Sequence, residues 1–128
     1  MKILLINPPA GSIYHFLRLK TPPLGIAYIA AVLRKDGHQV KIADLNVEPL
    51  NYKTLPYADF DVVGISVDTM RYPAALKIAE VAKQKGSTVV AGGQHVTFFD
   101  SQILSTGLFD FIVRREGEET MLDLVQHI

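Results

Sequence analysis

The sequence contains no cysteine, and that single absence removes three kinds of chemistry. A disulfide framework, a thiolate zinc site and an iron–sulfur cluster held by the chain's own thiolates are all excluded. An excess of charge of one sign is missing too: Lys plus Arg and Asp plus Glu each total 13, for a formal net charge of zero. A nucleic-acid surface needs clustered basic residues, so no nucleic-acid partner is expected. No apolar run is long enough to span a bilayer, since Ile3 to Ile6 has only the length of a strand, and no membrane partner is expected. No signal peptide precedes that strand, which makes a cytoplasmic location the expectation. Phosphate loops are also lacking. Where a dinucleotide fold carries G-x-G-x-x-G, this chain has Asn7-Pro8-Pro9-Ala10-Gly11, and prolines remove the backbone donors that a phosphate cradle needs. There is no Walker loop. A phosphoacceptor receiver needs paired acids after the first strand and a lysine after the fifth, where Asn7-Pro8 and Arg114 stand instead. Nicotinamide, nucleotide triphosphate and phosphorelay functions therefore fall.

What remains is an alternation of short apolar runs and helical patterns, of a length that suits one domain, 1–128. Lys2 to Ile6, Val62 to Val67 and Thr88 to Gly92 are nearly continuous apolar runs, as strands covered on both faces of a parallel sheet are. Gln39 to Ile42 alternates polar and apolar, and Phe111 to Val113 is short, so these two suit sheet edges. The order 2-1-3-4-5 places them there, in a doubly wound, Rossmann-like (flavodoxin-like) α/β fold with five parallel strands and helices on both faces. Pro23 to Asp36 and Pro73 to Lys85 read as helices, stopped by Gly37 and Gly86. Met121, Leu124, Val125 and Ile128 mark a final helix, with Glu118 and Glu119 favourably placed in its first turn. The stretch from Asn46 to Asp61, broken by Pro49 and Pro56, is a weak crossover; only Leu50 to Leu55 has room for a turn of helix, and little stabilisation is expected from it.

Ligands of an open parallel sheet bind outside the carboxyl ends of the strands, where the strand order reverses, here between the first and third. The segments that follow the strands are therefore the place to look. Ser66, Asp68 and Thr69 end the third strand; Ser66 and Thr69 offer hydroxyls, while Asp68 or Thr69 equally suits a cap for the helix at Pro73. The fourth strand ends in Gly92-Gly93-Gln94-His95-Val96-Thr97. One glycine usually suffices for a tight turn, and a pair more often marks close approach of another group, though a plain turn stays open. His15, in the loop after the first strand, is either an axial metal ligand or an ordinary surface residue. His95 is the better pocket residue.

Taken together, Asn7-Pro8-Pro9, the segment Pro22-Pro23-Leu24-Gly25-Ile26-Ala27-Tyr28-Ile29-Ala30-Ala31, Gly64-Ile65-Ser66, Gly92-Gly93-Gln94-His95 and Arg115-Glu116-Gly117-Glu118 resemble the N-terminal cobalamin-binding domain of B12-dependent radical SAM enzymes. The resemblance runs from Met1 to about Val125. It implies a corrinoid across the strand carboxyl ends, with its nucleotide tail in the sheet-edge cleft. Gly92 and Gly93 would then border the tail and Ser66 would offer it a hydroxyl. His95 and Thr97 would sit beside it, with Gln94 and the Glu116-Gly117-Glu118 turn along the rim. The Asp-x-His-x-x-Gly pattern of methionine-synthase-type domains is replaced by Asn7-Pro8-Pro9, which leaves Tyr14, His15, water or nothing as the lower axial group. S-adenosylmethionine and a [4Fe-4S] cluster would belong to a catalytic domain in cis, outside this cysteine-free chain, which would be an excised or N-terminal part of a longer enzyme. The competing expectation is a free-standing flavodoxin-like regulatory or protein-interaction domain without cofactor; a flavin carrier is disfavoured by the missing phosphate loop.

Overall fold

β-branched residues and leucines, uninterrupted by charge, make the central strands, because both faces of a parallel sheet are covered. A computed structural model describes residues 1–10 and 23–128, apart from the side chain of Gln94. In it β1 (Lys2–Asn7), β2 (Gln39–Asp44), β3 (Val62–Ser66), β4 (Thr88–Gly92) and β5 (Phe111–Val113) form one parallel sheet. Its order is β2-β1-β3-β4-β5, as the apolar pattern predicts. The alternation in β2 is real: its first four residues are alternately exposed and half-buried.

Four helices complete the described residues: α1 (Leu24–Lys35), α2 (Tyr72–Gln84), α3 (Gln94–Ser105) and α4 (Glu118–His127). α1 and α4 cover one face of the sheet, where Ile26, Leu33, Met121 and Val125 meet Leu5, Val90 and Val113. α2 and α3 cover the other. On α2, Ala75, Ala79 and Ala82 are all fully buried, so this helix lies close on the strands. No helix among the described residues is long and apolar enough to cross a membrane.

Two elements differ from the sequence expectation. Helix α3 has no counterpart in the sequence pattern; its signal is thin, with Val96 and Ile103 buried but Phe98 and Phe99 exposed, and a kink at Phe99 breaks the helical period. The crossover from β2 to β3 contributes more than expected. It holds two single-turn 3-10 helices, Tyr52–Thr54 and Tyr57–Asp59, and buries Leu55 and Tyr57 in the core beneath α2. The Tyr57 hydroxyl donates to the Tyr52 carbonyl at 2.6 Å, and the Ser87 hydroxyl donates to the Tyr57 carbonyl at 3.1 Å. One buried tyrosine thus anchors a segment that has almost no regular structure.

Candidate functional site

Strand register places the key residues in rows. Leu5, Gly64 and Val90 stand side by side across β1, β3 and β4. Two residues further along, Ser66, Gly92 and Val113 form a second row across β3, β4 and β5. Side chains alternate between faces of a sheet, so both rows point toward α1 and α4. Each row contains a glycine; at Gly64 the Leu5 side chain occupies the place of the missing Cβ, and at Gly92 the space is left unfilled. The result is a cavity of about 580 Å³ with its mouth at the strand carboxyl ends, within the size range of ligand pockets, roughly 300–1,000 Å³.

The glycines do different work. A Cβ on Gly92 would meet nothing nearer than the Val113 carbonyl at 3.8 Å; Gly92 therefore borders open space. A Cβ on Gly64 would lie 2.7 Å from Cδ2 of Leu5, and one on Gly117 would lie 2.9 Å from Cγ1 of Val113. Gly93 is different again, with φ at +108° and a virtual Cβ 2.6 Å from the Val67 carbonyl oxygen. Around it, Val67 N donates to the Gly92 carbonyl at 2.6 Å and His95 N donates to the Val67 carbonyl at 3.1 Å. Gly93 thus makes the tight turn, and Gly92 faces the cavity. The tight-turn reading of the pair belongs to Gly93.

The cavity walls are apolar: Ile26 and Ile29 from α1, Met121 from α4, Val113 from β5. Polar groups gather at the rim, where Ser66, Thr97, Arg115, Glu116 and Glu118 stand. Thr97 ties two rim segments together. Its Oγ1 donates to the Gly93 carbonyl at 3.4 Å and accepts from Arg115 N at 3.2 Å. That bond helps hold Arg115 at φ +61°, a left-handed conformation uncommon for a side-chain-bearing residue. An ion pair between Arg114 and Asp100 secures the same corner to α3.

Of the residues singled out in the sequence, Ser66, Gly92, Gly93, Thr97, Glu116, Gly117 and Glu118 come together around this cavity. Asp68, Thr69 and His95 do not line it. Asp68 accepts from Arg71 N at 2.8 Å and pairs with the Arg71 guanidinium, shaping the turn that leads into α2. His95 is buried in a stack, its ring 4.6 Å from that of Tyr72 and 4.7 Å from that of Phe99. Its Nδ1 lies 3.4 Å from the Thr69 hydroxyl. Gln94 opens α3, with its side chain outside the described part; Tyr14 and His15 lie outside the described residues altogether.

The cavity is also displaced from the expected crevice. It runs over β3, β4 and β5, and β1 contributes only Leu5. At the end of β1, Asn7 is buried and donates to Asp44 at 3.0 Å, closing that corner. Beyond it the Pro8 carbonyl accepts from Asn46 Nδ2 at 2.9 Å and from Arg71 Nε at 3.1 Å. Gly64, Ile29, Met121 and Arg115 also line the cavity; the sequence placed them in motif segments or on a helix face without marking them as site residues. A glycine inside a buried strand was a readable signal for Gly64; nothing local marks the other three.

Comparison with known proteins gives the family of the chain. A family model described as B12 binding domain matches residues 16–125. The chain is 39% identical to an uncharacterized methyltransferase of Pyrococcus horikoshii over 98% of its own length and 29% of that protein's. It is 32% identical to the cytidylyl-2-hydroxyethylphosphonate methyltransferase of Streptomyces wedmorensis, covering 99% of this chain and 28% of the relative. It is 31% identical to the anaerobic magnesium-protoporphyrin IX monomethyl ester cyclase of Rubrivivax gelatinosus, covering 98% of this chain and 24% of the relative. The chain thus spans about a quarter of the length of these relatives. Among solved structures, the N-terminal domain of a hypothetical Thermotoga maritima protein superimposes with a TM-score of 0.60 at 21% identity, over 87% of this chain and 89% of that one. That likeness concerns the fold alone.

Proposed function

The chain belongs to the B12-binding domain family, and from that premise we propose that it holds cobalamin for a radical SAM catalytic domain in cis, with the corrinoid's nucleotide tail in the cleft between the sheet and helices α1 and α4. The observation that carries this reading is Gly92, a glycine whose missing side chain leaves open space at the end of a central strand. Gly64 in the neighbouring row and the apolar walls suit a flat aromatic group sliding down from the strand ends. Ser66 and the Glu116-Gly117-Glu118 turn would flank the tail, and Thr97 would brace the rim. Gly93 would act by shaping the turn, while Asp68 and Thr69 belong to the adjoining loop and Gln94 and His95 to the first turn of α3.

When bound, cobalamin supplies a cobalt centre for methyl transfer or for a ring-forming radical rearrangement. The relatives named as methyltransferases and as a cyclase support either outcome for the longer enzyme. S-adenosylmethionine and a [4Fe-4S] cluster would be held by the catalytic domain, because this chain has no cysteine to supply. The chain, 1–128, would be a binding module of that cytoplasmic enzyme.

The test is a titration of hydroxocobalamin into the purified chain. The corrinoid should stay with the protein through desalting and show a base-off absorption spectrum. Gly92→Val should lose that retention while its melting temperature stays close to the parent's. Folded protein that retains no corrinoid at concentrations on the order of tens of micromolar, or full retention by the valine variant, would overturn the assignment.

A further inference from the structure

We propose that the cleft selects corrinoids by the chemistry of their lower base, accepting an apolar aromatic base such as dimethylbenzimidazole and rejecting a purine. This rests on the cobalamin-tail reading above and extends it from the cofactor to the kind of cofactor. The inner row of the floor, Leu5, Gly64 and Val90, has no polar side-chain atom. Beneath it, the backbone of β1, β3 and β4 is engaged in the parallel ladder on both sides, so those N–H and C=O groups are not available to a ligand. The walls facing the inner row, Ile26 and Met121, add no hydrogen-bonding N–H or O–H. Among the described residues Ser66 is the single hydroxyl on the floor, in the outer row. The other lining hydroxyl outside the rim, that of Tyr28, belongs to a mostly exposed residue of α1. Thr97 Oγ1 is already committed to Gly93 and Arg115.

Dimethylbenzimidazole fits such a surface. Its ring nitrogen released from cobalt is one acceptor at one edge, and its opposite edge carries two methyl groups. Adenine in the same position carries an exocyclic amine and two further ring nitrogens on the edge that would go deepest. Each polar group buried without a partner weakens binding by about fivefold or more, so several together exceed tenfold. A phenolic base, which has no ring nitrogen, meets no such penalty.

The experiment compares four corrinoids on the 128-residue chain: cobalamin, cresolyl cobamide, adeninyl cobamide and cobinamide, which lacks the nucleotide tail. Retention and spectral titration should give cobalamin and cresolyl cobamide affinities within a few-fold of each other. Adeninyl cobamide should bind at least about tenfold more weakly, and cobinamide should also be weak. Equal binding of cobalamin and adeninyl cobamide, with cobinamide weaker than both, overturns the selectivity and leaves the tail reading standing. Cobinamide binding as tightly as cobalamin overturns the tail reading, and the selectivity with it. A second measurement uses Met121→Gln, a substitution of similar length that places an amide donor and acceptor in the wall. The ratio of cobalamin to adeninyl cobamide affinity should fall several-fold in that variant; because it is a ratio within one protein, it does not depend on the fraction folded. An unchanged ratio counts against the apolar wall as the selector.

Discussion

Gly92 and Gly93 are neighbours with opposite sensitivities. A side chain on Gly93 would have to adopt φ +108° and press its Cβ to 2.6 Å from the backbone carbonyl of Val67. Gly93→Ala should therefore lower stability by roughly 2–4 kcal/mol, read from urea unfolding. Gly92 has neither constraint, and Gly92→Val should stay within about 1 kcal/mol of the parent, since valine suits a strand. Similar losses for both variants would mean that the pair works as one turn, with no division between backbone geometry and cleft. The same contrast explains why the dipeptide was ambiguous in the sequence: each glycine has its own reason to be there.

The crossover between β2 and β3 shows how little regular structure is needed to fix a segment once a large side chain is buried. Tyr57 is buried among Leu55, Ala79 and their neighbours, and its ionisation is correspondingly suppressed. Burial, with a smaller contribution from Tyr52, pushes the Tyr57 phenol from 10.0 up to about 12. The folded state thus holds this proton more tightly than the unfolded chain does. The linked stability is complete below pH 10 and is lost as pH rises from there through about 12. Unfolding free energies measured at pH 9 to 12 should fall along that interval, and the fall should be shallower in Tyr57→Phe, which has no proton to lose. Parallel pH profiles for the two proteins would show that the phenol ionises freely in the fold. Helix α3 makes the converse point. It has full length, yet its exposed Phe98 and Phe99 and the kink at Phe99 hide it from a search for helical periodicity.

The two faces of the sheet have different roles. Toward α2 and α3 the sheet is packed by alanines and branched side chains; toward α1 and α4 it gives up contact at Gly92 and keeps a cavity. A ligand filling that cavity binds the folded state alone, so it raises the apparent stability of the whole molecule. At free cobalamin one hundredfold above Kd the gain is about 2.7 kcal/mol, a rise in melting temperature on the order of 10 °C for a domain of this size. Differential scanning calorimetry of the chain with and without hydroxocobalamin reads this directly. The shift should vanish in Gly92→Val; a shift of the same size there would place the ligand elsewhere on the molecule.

The order of the sheet, its central and edge strands, and three of the four α-helices among the described residues were legible because burial on one face or two leaves a period in the apolar residues. The absence of cysteine, phosphate loops and basic clusters narrowed the chemistry for an equally local reason: each excluded function needs particular residue types at a particular spacing. The strand-end residues Ser66, Gly92, Thr97 and Glu116 to Glu118 could be named in advance because strand ends converge in any parallel sheet. What no local pattern carries is which face of the sheet opens. That was decided by register, which sets Gly64 beside Leu5 and Val90 and Gly92 beside Ser66 and Val113, and by the helices that stop short of filling the space they leave. Tertiary packing also set His95 as a ring between Tyr72 and Phe99, away from the cavity, and left Gly92 as the member of the glycine pair with open space beside it.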